Sequence, residues 1–153
     1  MGEEGATATL RQLIEEVETV LGEDGIAAIY RDRICTHRTR RVSLPKGSGS
    51  ARIEVLHTLL GIELQVGRSR LFCPDLPTAR YLSLFARLGL ETVAIPYDIT
   101  RIPPLVEDLE SSWSRMLRMT ETIVQPYRVA TVTRLKRQLV ERQRASILAL
   151  PLT

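Results

Sequence analysis

Leu10, Leu13, Ile14, Val17, Val20 and Leu21 recur at three- and four-residue steps, which lines one side of a helix that Thr7 or Thr9 can cap and Gly22 stops. After the turn Glu23-Asp24-Gly25, the short branched run Ile26-Ala27-Ala28-Ile29-Tyr30 reads as a buried strand over 26–34. A second strand, paired to the first, is expected through Arg41-Val42-Ser43-Leu44 and ends at Pro45. Lys46-Gly47-Ser48-Gly49-Ser50 breaks the pattern, and Ser50 can cap a helix over 50–61 carrying Ile53, Val55, Leu56, Leu59 and Leu60. Ile62–Val66 and Ser69–Cys73 alternate around Gly67-Arg68, the signature of a tight hairpin. Asp75 and Pro77 open a helix that Gly89 closes, and Leu90–Ile95 follows as a strand.

From Ile102 the period lengthens. Ile102, Val106, Leu109, Trp113, Met116, Thr120 and Ile123 step alternately by four and three, with Pro103 and Pro104 in the first turn, so a long helix is expected. Gln125-Pro126-Tyr127 ends it, and Val129, Val132, Leu135, Leu139 and Ile147 mark a second helix. The predicted architecture is α/β, with α+β as the variant: a small mixed sheet with flanking helices, then a C-terminal helical hairpin. Its 153 residues fit a single domain, with an α/β part over 1–101 and the hairpin as an appendage over 102–153. The hairpin's stripe is long enough to suggest a homodimer that associates through Leu109, Trp113, Met116 and Ile123.

With 44% hydrophobic and 25% charged residues, the composition is that of a globular chain. No segment approaches the roughly 20 apolar residues of a membrane span, and the start Met1-Gly2-Glu3-Glu4 has no secretory pattern. A soluble, cytoplasmic protein without a membrane partner is the expectation. Cys35 and Cys73 stand 38 residues apart with no neighbouring cysteine, which excludes paired zinc-ligand spacing and favours reduced thiols.

The net charge of +3 is unevenly spread. Residues 1–24 hold seven acids against Arg11 alone. Residues 31–46 carry Arg31, Arg33, Arg38, Arg40, Arg41 and Lys46 against Asp32, and residues 128–144 carry six cations, Arg134 and Arg137 among them, against Glu141. Arginine forks suit phosphate and carboxylate, so nucleic acid or another acidic partner is the expected ligand. Placed on a strand, alternate arginines of 31–41 would track phosphates along one face, and with Tyr30 as the one aromatic nearby a duplex or structured RNA is expected rather than a single strand. Lys46-Gly-Ser-Gly-Ser50 could cradle an anion at a helix start, although its lysine precedes the glycines, unlike a nucleotide-binding loop. Intramolecular pairing with the acidic first helix, in an assembly or scaffold factor, is the competing account of the basic clusters.

Catalytic signals are few. The chain has neither a Gly-x-Ser-x-Gly elbow nor a Gly-x-Gly-x-x-Gly turn, and its two histidines, His37 and His57, are far apart. A Cys35/His37 pair is close enough in sequence to act together but is as readily explained by chance. No cofactor is implied. Asp32 on a predicted strand, with Glu63-Leu64-Gln65 on a later one, resembles the order of restriction-endonuclease-like nucleases, and Arg80–Asp98 resembles their closing helix and strand. That resemblance implies Mg²⁺-dependent phosphodiester cleavage with Asp32, Glu63 and Gln65 at the metal site, Gln65 standing where lysine is usual. A non-catalytic binding protein is the leading expectation, and this nuclease the alternative.

Overall fold

The computed structural model describes residues 3–45, 52–123 and 129–150. Helix α1 (Glu3–Leu21) is followed by a short 3₁₀ turn, then α2 (Ile26–Ile29), which runs on as a π-helical turn over Tyr30–Ile34. The strands are β1 (Thr39–Ser43), β2 (Ile53–Thr58), β3 (Gly61–Val66), β4 (Ser69–Cys73) and β5 (Thr92–Pro96), with α3 (Leu76–Arg87) between β4 and β5. Helices α4 (Ile102–Ile123) and α5 (Val129–Leu148) complete the chain. Helices and sheets are thus combined as expected, with the helical pair last. The strands form two antiparallel sheets, β1–β5 and β2–β3–β4, rather than one mixed sheet.

Two segments differ from the expectation. Residues 26–34 are helical, not a strand: the buried side chains Ile26, Ile29, Tyr30 and Ile34 fall three, four and eight residues from the first, a helical stripe concealed within a compact apolar run. Gly25 caps this helix in extended conformation, and the Ala27 N–H donates to Gln143 Oε1 of α5 at 2.9 Å. The expected partner of β1 is therefore absent, and β1 pairs with β5 in the register Thr39↔Pro96 to Ser43↔Thr92. Residues 53–58 are a strand, not a helix. Ile53, Val55 and Thr58 are β-branched, and the segment zips onto β3 from Ile53↔Val66 to Thr58↔Gly61. The loop between them is Leu59-Leu60, both exposed, so it lacks the Asn-Gly chemistry that marks a hairpin in sequence. By contrast, the β3–β4 hairpin forms as read, with Gly67 at φ 61°, a conformation that glycine adopts without strain. The Asp75 carboxylate accepts the Thr78 N–H at 2.7 Å and starts α3 as expected.

Helix α3 is the centre of the molecule. It is buried along most of its length between the three-stranded sheet and α4, and Tyr81, Phe85 and Leu88 are fully enclosed. A second apolar cluster joins Leu13, Ile14 and Val17 of α1 to Met116 of α4 and Leu135 and Leu139 of α5. Trp113 and Val140 touch both clusters, so the terminal helices are continuous with the core. Leu109 and Met116, expected at a dimer contact, are spent inside this one chain, and Trp113 is half-buried. The stripe lost its free apolar face to α1, α3 and α5; the Ile123 side chain lies outside the described residues. Among the described residues no helix is long and apolar enough to cross a membrane.

Two phenols hold β5 in place. Ala94 faces Arg41 across the ribbon, and its other partners come from helices: its N–H donates to Tyr30 Oη at 2.9 Å, and its carbonyl accepts from Tyr81 Oη at 2.6 Å. Phe85 packs against both rings, with centroids 5.4 and 4.9 Å away. Burial pushes both phenols above their ordinary value of 10.0. Tyr81→Phe strands the buried Ala94 carbonyl and should cost about 1–3 kcal/mol in urea unfolding; a loss under about 0.5 kcal/mol, typical of a surface change, would refute the clamp. Because the folded pKa values are raised, this stabilisation is intact below pH 10.0 and fades as the pH climbs past it, where only the unfolded chain ionises. Tyr81→Phe should therefore lose less stability than the parent protein between neutral and strongly alkaline pH.

Candidate nucleic-acid interface

The arginines of 31–41 do not line one strand face, because the first of them are on a helical turn. Arg31 is folded onto its neighbour Asp32, with Nε and Nη2 donating to the carboxylate at 2.8 and 2.9 Å, which holds that carboxyl below its usual range. Arg33 reaches Asp108 of α4 at 2.7 Å. Two of the expected phosphate contacts are thus neutralised within the fold. Arg38, Arg40 and Arg41 remain exposed, and none of them makes an ion pair among the described residues. Lys46 and the glycine–serine segment lie outside the described residues.

Pairing of β1 with β5 brings a distant segment beside these arginines. Arg38 leads into β1 and Tyr97 leaves β5, and the Tyr97 N–H donates to the Arg38 carbonyl at 2.9 Å. The Arg38 guanidinium lies 4.2 Å from the centre of the Tyr97 ring, a cation–π stack at the surface. Tyr97 is 55% exposed and nearby Ile99 65% exposed. Asp98 caps the short turn over Ile99–Arg101 by accepting from the Thr100 N–H and hydroxyl, and these bonds lower its carboxyl pKa. Arg101, at the end of that turn, lies 3.0 Å from His37 Nδ1 through Nη1 and donates through Nη2 to the Arg33 carbonyl at 3.3 Å. The neutral ring with its proton on Nε2 is the tautomer that accepts this bond. Arg101 therefore ties residues 33–37 to the segment carrying Tyr97.

Tyr97, Ile99 and Arg101 were not legible as site residues, since only the β1–β5 register places them beside Arg38. Tyr30, the one aromatic near the cluster in sequence, is buried in the core instead. The second basic stretch is divided. Arg142 is bound in two-pronged fashion to Glu18 of α1, and Lys136 contacts Glu121 of α4 at 2.9 Å. Arg134 and Arg137 stay exposed on α5, an element that packs on α1, α2 and α4.

The nuclease constellation does not assemble. Asp32 is on the helical turn with its oxygens held by Arg31. Glu63 faces Leu56 and Phe72 on β3, in the other sheet, 3.5 Å from Arg70. Gln65 donates its side-chain amide to the Gly67 carbonyl at 2.9 Å. Among the described residues no three His, Cys, Asp or Glu side chains come together to hold a metal ion. Cys35 and His37 are not a thiolate–base pair: burial pushes the Cys35 thiol up, and His37 Nδ1 is engaged by Arg101.

Arg101→Ala should accelerate amide hydrogen exchange at His37 and Tyr97 by about fivefold, the equivalent of about 1 kcal/mol of lost hydrogen bonding. Unchanged exchange would show that the two segments hold together without it. No family model matches the chain, and neither does any curated protein or solved structure.

Proposed function

We propose that the protein is a non-catalytic binder of nucleic acid and that it engages unpaired nucleotides through the surface around Arg38 and Tyr97. The observation that carries this reading is the exposed Arg38–Tyr97 stack flanked by Arg40, Arg41 and Arg101. Sites for single strands join aromatic or guanidinium planes, on which bases stack, to cations that hold the backbone. Here the planar fork of Arg38 is already held flat by the ring beneath it, so little of its freedom is left to lose when a base covers it. Arg40 shares the face of Arg38 along β1 while Arg41 points to the other face, so a backbone passing the stack meets a further cation at Arg40. A stacking plane and a neighbouring cation, the two terms that single-strand binding needs, support this reading.

Anisotropy of labelled single-stranded RNA, single-stranded DNA and duplex, at low and moderate salt, tests the reading. Binding should be strongest for the single strands and weaken steeply with salt. Arg40→Ala should reduce the logarithmic salt slope by about one. Tyr97→Ala should weaken single-strand binding by about 1–3 kcal/mol and leave that slope unchanged. Absence of binding, or equal affinity of Tyr97→Ala and the parent protein, would overturn the proposal, and shortening of the strands with Mg²⁺ would replace it by the nuclease reading.

A further inference from the structure

On a different part of the molecule, the three-stranded sheet, the end of α3 and the terminal helices line a partly open cavity of about 740 Å³, within the roughly 300–1,000 Å³ typical of small-molecule sites. Its apolar lining comes from four elements or their margins: Trp113 and Leu117 on α4, Val140 on α5, Ile53 on β2 and Leu90 beyond α3. Trp113 and Leu117 are one helical turn apart and so present one face to the cavity.

The polar lining is predominantly cationic, with Arg87, Lys136, Arg137 and Arg144 against Glu91 and Glu141. Lys136 is committed to Glu121 outside the cavity. Arg87, Arg137 and Arg144 make no ion pair among the described residues. Arg137 and Arg144 are two turns apart on α5 with Val140 between them, so one stripe of the helix offers charge, apolar surface and charge in succession.

The Arg144 guanidinium lies against the turn that ends α3. Gly89 has φ +85°, and a Cβ there would come within 2.6 Å of Arg144 Nη1, so the glycine both turns the chain and leaves room for the guanidinium. Unpaired arginines beside an apolar wall are matched by a ligand with an anionic head and an apolar body, because such a head can take forked, charge-assisted hydrogen bonds while the body displaces water from Trp113 and Val140. We infer that this cavity binds a small organic anion of that kind, its carboxylate or phosphate held by Arg137 and Arg144 and its apolar part lying against Trp113.

Trp113 is the sole tryptophan of the chain and lines this cavity, so its emission responds to a ligand bound there, and the arginine variants below assign the response to this side of the ring. Titration with 1-anilinonaphthalene-8-sulfonate should quench Trp113 saturably, with one site per chain. Decanoate and a decyl phosphate, tested separately to distinguish the two head groups, should displace the dye; decanol and inorganic phosphate should not at equal concentration. Arg137→Gln/Arg144→Gln should weaken decanoate about tenfold or more, the effect of about 1.4 kcal/mol or more of lost charge-assisted bonding. The exposed single change Arg137→Gln, checked by circular dichroism, covers the case in which the double variant fails to fold, and Tyr97→Ala should bind decanoate as the parent does. Unsaturable quenching, displacement by decanol as effective as by decanoate and decyl phosphate, or unchanged affinity in folded Arg137→Gln and the double variant would overturn the inference.

Discussion

A two-stranded ribbon inside a protein has backbone groups on its outer edges that must find partners, since an unsatisfied buried N–H or C=O costs on the order of 1–3 kcal/mol. In β5 the groups at issue are those of Ala94, and the two hydroxyls that meet them arrive from opposite ends of the sequence distance: Tyr30 from the helical turn after α2 and Tyr81 from the middle of α3. With Phe85 between the rings, this clamp fixes where β5 lies against α3 and the turn after α2. The ribbon partner β1 is thereby fixed too, and with it the approach of Arg38 to Tyr97. A surface site thus depends on an interior polar contact.

Charge is distributed by the same logic. Counted along the chain, both basic stretches look like continuous positive surfaces, but the fold spends part of each on its own acids. Arg31 and Arg33 are taken by Asp32 and Asp108, and Arg142 and Lys136 by Glu18 and Glu121. Exposed pairs of this kind contribute about 0–1 kcal/mol each, so their main effect is to select which cations remain available. Of those that remain, Arg38, Arg40 and Arg41 lie on or beside the β1–β5 ribbon, Arg137 and Arg144 line the Trp113 cavity, and Arg134 is exposed elsewhere on α5. Pairing with the acidic first helix, weighed at the outset against ligand binding, accounts for Arg142 and leaves the arginines of β1 untouched.

Where the deciding signal is local, the sequence was sufficient. The heptad-like stripe of α4, the Asp75 cap of α3, the Gly67 turn and the apolar period of α1 each act within a few residues and each element forms, although α1 starts at Glu3, so that Thr7 and Thr9, read as its caps, lie inside the helix. Such signals fail where an element's state is set by what it packs against. The six residues of β2 can be written on a helix or on a strand, and β3 decides between them by offering a register in which Ile53 and Val55 meet Val66 and Leu64. The run at 26–30 is too short for its period to be read with assurance, and it becomes helical where Ile26 and Ile29 must face the core while Tyr30 reaches Ala94.

The candidate sites divide in the same way. The chemical character of the surface, arginine in excess, was legible because it is a property of composition. Its placement was not. Arg38 and Tyr97 are neighbours only through an antiparallel ladder closed across more than fifty intervening residues, and Arg87 joins Arg137 and Arg144 only because α3 ends where α5 passes. The sequence by itself determined the elements whose signals are covalent neighbours and the chemical character of the surface. The tertiary structure alone decided the β1–β5 and β2–β3 pairings, which cations stay unpaired and which distant side chains meet, because those depend on contacts whose free energy exists only once the segments are brought together.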